Sequence, residues 1–222
     1  MTNLEIQKKY KKRYLRDASI FGIIGTIILP LVSLLFALQD SLTDSNFSVI
    51  GGSSIEKRIP HVLLCAFISL HFYSHLNFIM FVTGNEKFFA RNYLKVAGGL
   101  LTISALFPYD PSYVNGWNSE IHIILSFVGV GLFILSFILL MNNLKYFDPK
   151  IYLAFTSIGF IALILFGIVV LKIFIINSLV EVIGLALASL FMYILSLCIL
   201  KSKNFDPKDF YEYYLNKKTM KK

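Results

Sequence analysis

The sequence predicts an all-α integral membrane protein: a polytopic bundle of six transmembrane helices with both termini in the cytoplasm. Three observations carry this expectation. Of 222 residues, 56% are hydrophobic and only 15% are charged, whereas soluble domains carry about 25% charged residues; the mean hydropathy is +0.69. Six apolar runs approach the roughly 20 residues that cross about 30 Å of hydrocarbon. Lys and Arg fall almost wholly on one side of those runs.

The runs are Ala18 to Leu38, Pro60 to Val82, Tyr93 to Phe107, Ile121 to Met141, Ile151 to Leu171 and Leu179 to Leu200. The third is the shortest. They are continuous, which excludes barrel strands alternating over about 10 residues. Pro30 predicts a kink in the first span. Gly22 and Thr26, Gly98 and Gly99, and Gly129 and Gly131 mark expected helix contacts, because small residues let helices approach in lipid. The first run is too long for a signal-peptide core and no small-residue cleavage site follows it, so it reads as a retained anchor. Three regions result: a basic tail (1–17), a membrane domain (18–200) and a second basic tail (201–222). Asp148-Pro149 and Asp206-Pro207 both read as helix starts. The second predicts a short interfacial helix with Phe210, Tyr211, Tyr214 and Leu215 at helical spacing.

Basic residues set orientation. Lys8, Lys9, Lys11, Lys12, Arg13 and Arg16 precede the first span. Lys87, Arg91 and Lys95 follow the second, Lys145 and Lys150 follow the fourth, and seven lie between Lys201 and Lys222. Only Lys57 and Arg58 occupy the opposite loops, with Lys172 at the end of the fifth span. Lys172 and Glu181 read as snorkelling end residues that pair. The net charge of +8 implies anionic lipid at the inner face, at about 1 kcal/mol per basic residue, and no nucleic acid. In a bacterium the location is the cell membrane. Cys65 and Cys198 are expected near opposite faces, which disfavours a disulfide.

Polar residues concentrate on the outer side. The first loop, Gln39 to Ile59, holds Asp40, Asp44, Ser48 and a Gly51-Gly52 pair expected in a tight turn. The third carries Asp110, Trp117 and Glu120. Both read as a solvated rim or as a vestibule for a headgroup or solute. His71 and His75, at i and i+4, share one face of span two. His71 lies about 16 Å beyond Pro60 at about 1.5 Å per residue, near mid-membrane. Ionisable groups there face the bundle interior and mark functional sites; interhelical hydrogen bonding is the plainer use. His61 and His122 sit at outer span ends, where an outer cluster with Asp110 and Glu120 is conceivable. Metal-ligand spacing, nucleophile-elbow and phosphate-loop motifs are absent, so no metal is expected and no cofactor is named.

Ser48-Val49-Ile50-Gly51-Gly52, the Lys57-Arg58 pair, Leu70-His71 and Glu120-Ile121-His122 together resemble the Frag/DRAM/Sfk family, over roughly residues 18 to 140; bacterial six-span families of unknown function are similar too. The resemblance implies a lipid-related or accessory membrane role and supplies no catalytic residue.

The expected function is that of a non-enzymatic accessory or transport factor binding a lipid or small amphipathic ligand toward the outer face. Its site candidates are Ser48, His71, His75, Asp110, Glu120 and His122. One alternative is a membrane-embedded hydrolase or lipid-remodelling enzyme using histidines and carboxylates, with or without zinc. A channel or solute transporter is the other, and so small a bundle would then act as a homo-oligomer or with a partner membrane protein.

Overall fold

Backbone in hydrocarbon has no water to bond, so a long apolar run folds as a helix whose N–H and C=O groups satisfy one another. The structure, a computed structural model, describes residues 3–83, 88–113, 116–173 and 177–205, and there is no strand among them. A first rod joins α1 (Asn3–Ile23), a π-helical turn (Ile24–Ile28) and α2 (Leu29–Ala37). Then follow α3 (Phe47–Ser53), α4 (Ile55–Val82), α5 (Phe88–Ser104), a 3-10 turn (Pro111–Tyr113), α6 (Trp117–Phe147), α7 (Pro149–Ile173) and α8 (Ser178–Lys201).

Four described helices are long and apolar enough to cross a membrane: Lys9–Ala37, Ile55–Val82, Trp117–Phe147 and Ser178–Lys201. α5, at 17 residues, and the apolar stretch Pro149–Ala162 of α7 are shorter. The basic stretch before the first span is helical from Asn3 onward. The expected interfacial helix at Phe210 to Leu215 lies outside the described residues.

Pro30 explains the wide turn. It has no N–H to donate, and its ring crowds the carbonyl four residues back. Just before it, the Leu29 N–H reaches Ile24 O, five residues back. The first rod thus accommodates Pro30 with a π turn, where the sequence predicts a kink.

The first loop is not an open rim. Its middle is α3, with Gly51 and Gly52 in helical conformation. Asn46 caps it through a bond from Val49 N, and Ser54 caps α4 through one from Lys57 N. The Phe47 N–H, left over at the helix start, donates to Glu181 Oε2 at 2.7 Å. α8 receives the reciprocal service: Ser178 N donates to Ser45 O at 2.7 Å and Leu179 N to Leu42 O at 3.1 Å. Asn177 caps Val180 N and sends its own amide to Thr43 O. Glu181 is therefore engaged with α3; the Lys172 side chain, its expected partner, lies outside the described ones.

The first rod packs on α8, α4 on α3 and α5, α5 on α6, and α6 on α7. Phe36, Phe47, Ile50, Leu64 and Val182 form an apolar cluster at the α3 end. A larger one, including Phe72, Leu76, Ile79, Leu140, Leu195 and Ile199, fills the other half. At that far end Asp148 caps α7 through Lys150 N and Ile151 N and accepts from Ser202 Oγ at 2.7 Å, tying α8 to the α6–α7 junction. Cys65 and Cys198 are free thiols.

The Ser202 hydroxyl, then the two backbone N–H groups, hold the Asp148 carboxyl below its ordinary range. A depressed folded pKa adds stability above the unfolded value and loses it as pH falls through the folded one. Because Asp148 is partly exposed, the contribution is a few tenths of a kcal/mol. In acid titrations of thermal unfolding, Ser202→Ala is expected to move this loss toward higher pH. Superimposable profiles for wild type and variant would contradict the assignment.

Candidate functional site

Three rods meet at mid-depth. Gly25 lies twelve residues from Ala37, Ser189 eleven from Ser178, and His71 eleven from Val82. At about 1.5 Å per residue each sits roughly 16 to 18 Å from a helix end. Ile68 and Leu185, which pack against both apolar clusters, flank this level. The seam between the first rod, α4 and α8 is therefore a polar layer held between two apolar ones.

Helical spacing supplies its side chains. His71 and His75 share a face of α4, and Ser189 and Ser196, seven apart, share a face of α8. Glycines let the rods close. A Cβ added to Gly25, inside the wide turn, would lie 2.6 Å from His71 Nε2 and 2.8 Å from Ser189 Cβ. One added to Gly22 would lie 2.6 Å from the Tyr193 ring. Phe21 stacks on His75 with centroids 5.0 Å apart at 13°, and the two imidazoles lie 5.7 Å apart at 69°.

One strong polar contact lies in the seam: His75 Nε2 and Ser196 Oγ are 2.9 Å apart. The Ser196 hydroxyl also reaches Met192 O at 2.9 Å. When its proton is given there, its oxygen accepts from the imidazole, the proton of His75 is on Nε2 and Nδ1 is a bare acceptor. His75 Nδ1, both nitrogens of His71 and Ser189 Oγ are buried without a hydrogen-bond partner in the protein, as are Ser33 Oγ and Arg58 Nε nearer the α3 end. His71 is only 4% exposed and His75 0%. Each such atom costs about 1–3 kcal/mol. Native structures hold few of them, and those they keep call for a function.

The other predicted residues lie elsewhere. His122 turns inward and donates from Nδ1 to Ser104 O at 2.9 Å, with Tyr109 stacked on it; it ties α5 to α6. Asp110 accepts from Ser112 N and Ser112 Oγ in the connecting turn. Asp110 and Glu120 are both exposed, and Ser48 is half-buried on α3. His61 is buried against Gly51 and stacks on Phe36 at 5.7 Å. Of the six candidates, then, the structure brings together His71 and His75. Sequence reasoning missed Gly25, Ser189 and Ser196. The signals were there in part: Gly25 five residues before Pro30, and two serines seven apart in an apolar run. Among the described residues no three His, Cys, Asp or Glu side chains converge as a metal set.

Gly25→Ala should cost about 1–3 kcal/mol by overpacking. Combining it with His71→Ala should recover at least about 1 kcal/mol of that cost, since the two sites touch. Thermal unfolding of both single variants and the double one measures this coupling; simple additivity would dismiss the contact. No protein-family model, curated protein or solved structure matches this chain, which leaves the geometry of the seam to carry the functional conclusion.

Proposed function

We propose that this chain is a six-span membrane protein with both ends in the cytoplasm, and that it binds a lipid or small amphipathic ligand at the His71–His75 seam as a non-enzymatic accessory or transport factor. The observation that carries the reading is His71: an imidazole near mid-depth, buried, with neither nitrogen bonded to protein. Buried ionisable side chains at that depth face substrate and ion pathways. The lipid-related role implied by the Frag/DRAM/Sfk resemblance points the same way.

α5 and α7 are the two further spans in this reading. α5 pairs closely with α6, and the Asp148–Ser202 contact ties the start of α7 to the end of α8. Lys11, Lys12, Arg13, Arg16, Lys95, Lys145, Lys150 and Lys201 are exposed. Lys145, Lys150 and Lys201 lie at the ends of α6, α7 and α8, Lys11 to Arg16 precede the apolar part of the first rod, and Lys95 lies in the middle of α5; in this reading those at helix ends face an anionic cytoplasmic leaflet. Lys57, on the other side, bonds Gln39 O.

A hydrolase reading would recruit the His75–Ser196 pair. The pair lacks the third group that orients a catalytic base, because His75 Nδ1 has no hydrogen-bond partner. A standing pore is disfavoured by burial of both imidazoles.

Native mass spectrometry of the full chain extracted with its membrane lipid tests the proposal. A stoichiometric amphiphile should accompany wild type and be lost from His71→Ala, with Ser189→Ala as the milder variant should the first fail to fold. Undiminished retention by both variants, or no adduct on wild type, would sink it.

A further inference from the structure

We infer that the group bound in the seam is a neutral hydroxyl, from water or from the alcohol of an amphiphile. The inference rests on the reading of the seam as a ligand site and specifies its chemistry.

Hydrogen-bond bookkeeping leads there. With Nε2–H of His75 given to Ser196, its Nδ1 lone pair is left over. A neutral His71 offers one N–H and one lone pair, neither used. The Ser189 hydroxyl, also unpartnered, has a proton to give. The seam thus presents donors and acceptors together, and no charge. A hydroxyl group has one proton to donate and two lone pairs to accept with. It can give its proton to an imidazole lone pair while accepting from Ser189 and from the His71 N–H. A ketone or ester oxygen only accepts and would leave the lone pairs unmet. A carboxylate or phosphate would add buried charge with no counter-charge beside it, and an ammonium would do the same with the opposite sign.

His71 and Ser189 are neighbours across the seam. The place of an added Cβ on Gly25 is 2.6 Å from His71 Nε2 and 2.8 Å from Ser189 Cβ, so the Ser189 hydroxyl, one bond beyond its Cβ, shares the neighbourhood of the unpartnered imidazole.

The test uses the full chain with 15N-labelled histidine in lipid nanodiscs. Imidazole 15N spectra should show His75 protonated on Nε2. His71 should either exchange magnetisation with water or shift on addition of 1-decanol but not of decyl methyl ether; the first result assigns the hydroxyl to water, the second to an alcohol. Ser189→Ala should weaken the decanol response about fivefold, the worth of one neutral hydrogen bond. A His75 ring protonated on Nδ1, or a His71 ring indifferent to both water and decanol, would overturn the inference. The two proposals fail separately. A co-purifying amphiphile without a hydroxyl would remove this one and keep the ligand site, whereas water alone at His71 would keep the hydroxyl and remove the amphiphile.

Discussion

Inside hydrocarbon, every polar atom of the chain must find its partner within the chain, and most of the fold can be read as the answer to that demand. Thr26, Thr102, Ser136 and Ser196 return their hydroxyls to carbonyls four residues back. The α3 start is closed by Glu181, and the α8 start by carbonyls of the first loop. His122 closes the end of α5 through Ser104 O. The same demand goes unmet at six buried side-chain atoms: Ser33 Oγ and Arg58 Nε lie nearer the α3 end, while both nitrogens of His71, His75 Nδ1 and Ser189 Oγ fall in the one seam. That clustering separates a site from scattered imperfection.

Close approach of helices makes the layer possible. Gly22 and Gly25 admit Tyr193 and His71, and Gly51 admits His61; a side chain at any of these would collide. A Cβ added at Gly98 would also meet Ser69, at 3.2 Å, and one at Gly129 would meet Leu101, at 2.9 Å, whereas one at Gly99, Gly131 or Gly184 would meet nothing within 4 Å. In each of the Gly98–Gly99 and Gly129–Gly131 pairs, one glycine therefore lies at a helix contact and the other does not. The wide turn before Pro30 places Gly25 against His71. A proline that a helix must accommodate and a histidine without a partner are thereby joined in one contact.

The all-helical class with several apolar spanning helices was legible because it follows from composition and run length, which are local properties; four described helices reach spanning length, against the six expected. The shared face of His71 and His75 was legible from spacing alone. α3 was not: two glycines lower helix propensity, and the helix is held by Glu181, which is distant in sequence and becomes visible only once α8 is docked. Asp110 and Glu120 looked like site residues because they are charged beside a membrane, yet charge at a surface costs nothing and signals little. The serines at 189 and 196 passed as ordinary helix residues. What distinguishes them is that α8 turns them onto α4, and that pairing is tertiary.

A ligand held in the seam between the first rod, α4 and α8 would be visible in an experimental density map of the full chain in its native lipid, at a resolution that shows ordered solvent. Non-protein density is expected within hydrogen-bonding distance of His71 and Ser189. A seam in which both His71 nitrogens bond to protein atoms, with no such density between the rods, would contradict it.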